Sequence, residues 1–192
     1  ARDGETWGCV LWDMPPTPQL ASDGGTGLAA GTTAAGWDAH QLDWDHLLRA
    51  LWHQDAQLER QAYAALQAVE ERTHLFEQAH TEKRLTQHLQ HWEHLQRQAH
   101  EAILRYDRFH DLAQRVDAEF AMIDLSTGIL RDAETSATRL ATFGQQVQTL
   151  AGRACAVLGT SLSHWATGLV SYLPRLAQAL APLVDTWGQP AV

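Results

Sequence analysis

Residues 85–123 read LTQHLQHWEHLQRQAHEAILRYDRFHDLAQRVDAEFAMI, and apolar side chains recur in them every three or four positions. This spacing is typical of one face of an amphipathic helix. The stripe consists of Leu85, Leu89, Trp92, Leu95, Ala99, Ile103, Tyr106, Phe109, Ala113, Val116, Phe120 and Ile123. A similar series precedes it at Leu51, Leu58, Ala62, Ala65, Val69 and Phe76. The two series predict two long helices.

The surrounding composition supports this prediction, because residues 43–123 contain neither glycine nor proline, the two residues that most disfavour helix interiors. His80-Thr81 separates the two series, and Thr81 is the expected N-cap of the second helix. Helices joined by so short a turn pack antiparallel. At 1.5 Å per residue, ~35 residues give an arm on the order of 50 Å long.

The remainder of the C-terminal part also favours helix. Residues 124–128 (DLSTG) predict a turn, and Asp132 is the expected cap of a third helix. The apolar stripe of that helix is Leu140, Phe143, Val147, Leu150, Ala154, Leu158, Leu162, Trp165, Leu169 and Tyr172. Because proline breaks or restarts helices, Pro174 predicts a separate last helix over 174–187.

Residues 1–42 differ in composition, since they hold seven of the 13 glycines and three of the six prolines. They predict an α/β arrangement: helix 5–14, strand 19–22, helix 26–35 ending at Gly36, and strand 38–42. The expected fold is therefore mostly α. A partial α/β piece (1–42) is followed by an all-helical domain (43–192) that forms a long antiparallel hairpin or bundle.

The charge and apolar content of the 192 residues exclude several classes of protein. No run approaches the roughly 20 apolar residues that a membrane span needs, so no membrane partner is expected. The formal net charge is −9, which argues against a chain that grips DNA phosphates over its whole surface. Cys9 and Cys155 form no disulfide framework or zinc knuckle, and a reducing cytoplasm is the expected location.

Asp23 is the first candidate for chemistry. It follows an apolar run at the predicted end of a strand, where α/β folds place ligand-binding groups, and Gly24-Gly25 leave the backbone open to a metal or phosphate. A carboxylate is a hard oxygen ligand suited to Mg²⁺. The alternative is an Asp-Gly turn without chemistry, which is a common turn pair.

The other polar and aromatic groups favour structural roles. His88, His91 and His94 recur at intervals of three, whereas helical zinc sites more often use intervals of four, so a solvated face is expected. His40, His46 and His53 could cluster near the second strand, although capping or packing explains them equally. Trp52, Trp92 and Trp165 are expected in the core, and Trp7 and Trp12 against the small sheet. Trp37 and Trp44 flank that strand, and one of them is a candidate for base stacking. Arginines from Arg49 to Arg115 alternate with acids and predict a salt-bridged surface.

Three stretches together resemble the central part of DDE transposases, which have an RNase H-like, retroviral-integrase-like core. They are residues 2–7 (RDGETW), 20–30 (LASDGGTGLAA) and 41–49 (QLDWDHLLR). In that superfamily a helix starting with Thr-Trp or Ser-Trp precedes the fourth strand. The fourth strand ends in the second catalytic carboxylate in a Ser/Thr-Asp-Gly context. A short helix and a fifth strand follow, and bacterial and Mutator-like members then insert a helical domain.

The resemblance implies that Asp23 is the second metal-binding carboxylate of a two-Mg²⁺ site for DNA strand cleavage and transfer. It also implies that residues 1–42 are a partial RNase H-like catalytic core. The chain would be an internal segment, inactive alone, whose parent binds DNA and forms a homo-oligomer. The other two carboxylates would lie outside these residues. Mutator-like relatives often carry Cys-x-x-His after the fifth strand, but here Asp43 replaces the cysteine and only His46 matches. The alternative function is a non-catalytic helical-hairpin scaffold that docks a partner.

Overall fold

The structure is a computed structural model that describes residues 3–14, 20–22, 26–37, 40–42, 44–78, 82–121, 123–124 and 126–187. It has, in these ranges, six helices and two small two-stranded sheets. The elements in chain order are α1 (Gly4–Trp12), β1 (Leu20–Ser22), α2 (Thr26–Ala34), β2 (His40–Leu42), α3 (Trp44–Glu77), α4 (Glu82–Phe120), β3 (Ile123–Asp124), β4 (Ile129–Leu130), α5 (Ala133–Thr149) and α6 (Arg153–Trp187). The predicted mostly-α class with a long helical hairpin is confirmed.

The N-terminal part is a pair of packed helices and a parallel strand pair. The Asp3 carboxylate caps α1 by accepting a hydrogen bond from the Thr6 backbone N–H at 2.9 Å. Gly36, in the left-handed region at φ 71°, follows the end of α2 as predicted. Strands β1 and β2 run parallel, with Leu20 opposite His40 and Ser22 opposite Leu42. Both predicted strands are therefore present, within 20–22 and 40–42.

Helices α3 and α4 form the predicted antiparallel hairpin. Two contacts between them fix its alignment: His110 lies against Asp55 near the base, and Trp92 donates a hydrogen bond to the Thr73 hydroxyl further out. At 1.5 Å per residue, the 34 residues of α3 span about 50 Å. The predicted cap Thr81 lies outside the described residues.

The predicted third helix is wrong in its continuity, because the structure divides it into α5 and α6. Gly152, at φ 121°, lies between them, and α5 ends at Thr149. The apolar stripe continues across this break because the two helices fold back on each other and both contribute to one core. The expected cap is confirmed, since the Asp132 carboxylate accepts a hydrogen bond from the Thr135 N–H at 2.8 Å.

The predicted break at Pro174 is also wrong, because α6 continues through it to Trp187. Proline removes one intrahelical hydrogen bond, and the burial of Leu169 and Leu173, which precede Pro174 on the apolar face of α6, offsets the loss. The predicted turn is present at residues 126–128. It joins the short antiparallel strands β3 and β4, so Ile123 belongs to β3 and not to the helical stripe.

The core lies where the base of the α3–α4 hairpin meets α5 and α6. Its fully buried members include Leu51, Phe109 and Val116 from the α3–α4 hairpin. Leu140 of α5 and Leu162 of α6 are fully buried there as well. Sheet β1–β2 is connected to this core directly, because β2 contacts α6 and is followed by α3. The predicted boundary between domains at residue 42 stays a prediction.

Candidate functional site at the carboxyl edge of the parallel strands

The candidate site follows from the direction of two strands. Because β1 and β2 are parallel and pair Ser22 with Leu42, their carboxyl ends meet at one edge of the sheet. Asp23 and Asp43 are the next residues in sequence after these two ends. Both lie outside the described residues, so the role of Asp23 as catalytic residue and metal ligand stays a prediction. The order strand, acidic residue, glycines, helix is the one predicted.

The first turn of α3 carries the other polar groups near this edge. Asp45 forms an ion pair with Arg49 one turn later, and His46 is exposed to solvent. Both Asp45 and His46 take part in further interactions. The suggested cluster of His40, His46 and His53 stays a prediction, and His53 contacts Gln57 on its own helix at 2.9 Å.

Within the described ranges, no three His, Cys, Asp or Glu side chains lie close enough together to hold a metal ion. Of the histidine series, His91 and His94 are exposed as predicted, whereas His88 is half-buried with its Nδ1 atom enclosed and without a hydrogen-bond partner among the described residues.

The tryptophans divide into confirmed and corrected predictions. Trp165 is 7% exposed in the core, and Trp52 and Trp92 are half-buried. Trp12 is 75% exposed, so its predicted packing against the sheet is wrong. Trp44 is half-buried against Phe120 and Tyr172, with ring centroids 5.1 and 4.8 Å away. It therefore packs against protein aromatic rings, and the structure gives no support to it as a base-stacking platform. Trp37 is also half-buried.

Two buried carboxylates, those of Asp55 and Glu119, were not predicted from the sequence. The Asp55 carboxylate is enclosed between α3 and α4, and both its oxygens lie 3.1 Å from His110 Nδ1. Its position between the apolar residues Leu51 and Leu58 of the same stripe was the available signal. The partner lies 55 residues away, and no local pattern identifies it.

Glu119 is the second missed group. Its carboxylate is buried near the end of α4, accepts a hydrogen bond from the Ser136 hydroxyl at 2.9 Å, and lies 3.0 Å from Arg139 and 3.4 Å from Arg131. The guanidinium of Arg131 also donates to the Ala121 carbonyl. These bonds compensate the buried charge and join the end of α4 to α5 and to Arg131, the residue after β4, so the cluster is structural.

The arginine pattern is confirmed in part. Arg49 and Arg115 pair with acids four residues before them on exposed helix faces. Arg72 differs, because it is half-buried and its Nε atom has no hydrogen-bond partner among the described residues.

The shifted pKa values reflect local hydrogen bonds and burial and mark no further site. Hydrogen bonds to Ser126 lower the pKa of Asp124, and those to Thr135 lower the pKa of Asp132. Burial raises the pKa of Tyr106, helped by the negative charges of Glu59, Asp55 and Asp107. Burial also raises the pKa of Cys155, so this thiol stays protonated and unreactive near neutral pH.

Comparisons of the chain with protein-family models, with curated proteins and with solved structures found no match. Among the described residues, every helix is too short or too polar to cross a bilayer.

Proposed function

We propose that this chain is an internal segment of a DDE transposase and contributes Asp23 as the second of three metal-binding carboxylates for DNA strand cleavage and transfer. The observation that carries the proposal is the parallel pairing of β1 with β2, which brings Ser22 beside Leu42. Asp23 directly follows Ser22 in the sequence. Ligand sites of α/β folds lie at the carboxyl ends of such strands.

The properties of the strand pair β1–β2 favour its being part of a larger sheet. Parallel sheets in proteins are covered by other elements on both faces, and pairs of strands as short as three residues are not stable alone. An RNase H-like core would supply the additional strands, and with them the other carboxylates. The helix α2, which starts at Thr26 just after Asp23-Gly24-Gly25, matches the order expected from the family resemblance.

The helical part would then serve as the inserted domain. With a chain charge of −9, most contacts to DNA phosphates would come from other regions, because phosphate binding needs Lys and Arg. The long α3–α4 hairpin would contribute to assembly of the transposase homo-oligomer. A cytoplasmic location and Mg²⁺ as the cofactor belong to the same proposal.

The alternative is a non-catalytic helical scaffold, and the outer part of the α3–α4 hairpin favours it. Tyr63 is 62% exposed, Leu75 48% and Leu89 40%. A groove of about 700 Å³ lies between the helices, with Leu66, Val69, Ala99 and Ile103 among its lining residues. Apolar surface of this kind marks a protein interaction site.

The deciding experiment measures Mg²⁺-dependent cleavage of DNA ends by the full-length protein that contains this chain, in the wild type and in the Asp23→Ala variant. We expect the variant to lose at least ~10³-fold in rate, because removing a metal ligand disrupts the stabilisation of both reacting oxygens. Asp13→Ala is the matched control, since Asp13 is an exposed carboxylate just after α1. It should cleave like the wild type.

Cleavage by Asp23→Ala at the control rate would refute the catalytic proposal. Two results together would favour the scaffold alternative. The Asp23→Ala protein would cleave DNA at the wild-type rate, and the charged substitution Leu75→Glu in the outer part of the hairpin would abolish self-association or partner binding in sedimentation experiments. Residues 1–192 expressed alone are expected to be inactive in cleavage, because one carboxylate cannot hold two metal ions.

A further inference from the structure

Four aromatic side chains from three helices meet beside the parallel strands. Trp44, the first residue of α3, packs at 51° on Phe120 near the end of α4 and edge-to-face on Tyr172 of α6. Phe120 in turn packs edge-to-face on Trp165 of α6, with ring centroids 6.4 Å apart. Phe120 and Trp165 are buried, whereas Trp44 and Tyr172 are half-buried. We call this group (Trp44, Phe120, Trp165 and Tyr172) the aromatic clasp.

The clasp lies close to the carboxyl edge of sheet β1–β2. Trp44 is only two residues after Leu42, the last residue of β2, and Leu42 is paired with Ser22, the last residue of β1. Strand β2 also contacts α6, the helix that contributes Tyr172 and Trp165. The helical bundle is therefore connected to the carboxyl edge of the sheet through a short and direct path.

The strands themselves supply little to hold this edge in place. Each described strand has only three residues, and strands so short have few hydrogen bonds to resist sliding or fraying. A ring packed between Phe120 and Tyr172 restricts the start of α3, because edge-to-face aromatic pairs prefer defined geometries. The position of the edge is therefore determined by the bundle as well as by the sheet.

We propose that the aromatic clasp is a positioning device, in which the helical bundle fixes the carboxyl edge of sheet β1–β2 through Trp44. This inference rests on the proposed function for its catalytic consequence: Trp44 is a positioning residue for strand cleavage and does not contact DNA or metal. Displacements of about 1 Å at a reacting centre reduce rates up to ~100-fold, so loosening the clasp lowers activity without removing a reacting group.

The test compares Trp44→Ala and Trp44→Phe in the full-length protein. Trp52→Ala is the matched control, because Trp52 is a half-buried tryptophan on the same helix that contacts His110 instead of the clasp. Three quantities are measured: the cleavage rate, the Mg²⁺ concentration for half-maximal rate, and the hydrogen exchange of the β1 and β2 amides. All variants are compared at a temperature where circular dichroism shows them folded.

We expect Trp44→Ala to cleave roughly 10- to 100-fold more slowly, to need more Mg²⁺, and to exchange the β2 amides faster. Trp44→Phe should recover most of the rate, because a phenyl ring still packs on Phe120 and Tyr172. Trp52→Ala should stay within a few-fold of the wild type. If Trp44→Ala does not fold, Tyr172→Leu removes one clasp contact at a half-buried position and should show the same three changes in weaker form.

Two outcomes overturn the inference: β2 exchange in Trp44→Ala no faster than in Trp52→Ala, or a Trp44→Phe variant as slow as Trp44→Ala. Failure of the proposed function gives a different result. If Asp23→Ala cleaves normally, the catalytic consequence is lost, whereas the exchange measurement still decides whether the clasp fixes the strands.

Discussion

The α3–α4 hairpin has an inner half (residues 44–61 and 104–120) and an outer half (residues 62–78 and 82–103). Both halves share one heptad-like apolar pattern but differ in the elements that pack against them. In the inner half, α5 and α6 pack against the hairpin, and Leu51, Phe109 and Val116 are completely buried. Of the described residues of the outer half, only Ala62 and Ala99 are buried, and four leucines, Leu66, Leu75, Leu85 and Leu89, are 36% or more exposed. The apolar pattern determines which faces of α3 and α4 meet. The packing of α5 and α6 on those helices determines how much of the apolar surface is removed from water.

The buried polar groups show the same difference. In the inner half, Asp55 is matched by His110. In the outer half, the enclosed atoms Arg72 Nε and His88 Nδ1 have no hydrogen-bond partner among the described residues. Enclosed polar atoms without partners cost free energy. The inner half is therefore the stable base of the hairpin, and the outer half depends on that base.

The largest expected effect is the truncation of Phe109. Because Phe109 is completely buried in the inner half, Phe109→Ala should lower the free energy of unfolding by about 3–5 kcal/mol, through lost transfer energy and an unfilled cavity. Leu89→Ala is the control in the outer half, where the side chain is 40% exposed, and it should cost less than about 1 kcal/mol. Urea unfolding followed by circular dichroism measures both. Equal losses for the two variants would contradict the division into a stable base and a dependent outer half.

The next effect tests how closely α5 and α6, the two helices that cover the inner half, pack against each other. A Cβ atom added to Gly144 of α5 would lie 2.7 Å from both the Gly159 carbonyl oxygen and Ser163 Oγ on α6. Gly144→Ala should therefore destabilise the protein by about 1–3 kcal/mol through overpacking and loosen the cover on the inner half. A Cβ added to Gly168 of α6 meets no atom within 4 Å among the described residues beyond its own helix backbone, so Gly168→Ala should stabilise by about 0.5–1 kcal/mol through helix propensity. A Gly144→Ala protein as stable as the Gly168→Ala protein would show that α5 and α6 are not in such close contact.

The sequence predicts those parts of the fold whose causes are local. The long helices follow from an apolar stripe without glycine or proline, and the caps follow from Asp132 and Gly36. The break at Gly152 was not predictable from the stripe, because Leu150, Ala154 and Leu158 keep helical spacing across it. Continuation through Pro174 depends on the packing of α6, which is a tertiary effect.

The candidate site divides in the same way. The edge of the sheet was predictable, because Ser22-Asp23-Gly24-Gly25 is a local signal for a strand end. The aromatic clasp was not, because Trp44 meets Phe120 and Tyr172 only after the three helices α3, α4 and α6 have assembled. A tryptophan beside a predicted strand was equally compatible with stacking on a base, and only the contacts on the other helices favour packing.

The smallest expected effect is a dependence on pH at the start of the covering hairpin. Hydrogen bonds from Thr135 lower the pKa of the exposed Asp132 carboxylate from its ordinary value of 3.8. A group with a lowered folded-state pKa stabilises the protein above its unfolded pKa and loses that contribution as the pH falls through the folded value. In Asp132→Asn the amide oxygen still caps α5, but it has no charge to interact with the helix N-terminus. The wild type should therefore unfold at a higher temperature than Asp132→Asn at pH 7, and the difference should decrease as the pH falls below the ordinary value of 3.8 and through the lowered folded-state pKa. A difference in unfolding temperature that stays constant from pH 7 to pH 2 would show that the charge of Asp132 does not stabilise the cover over the inner half.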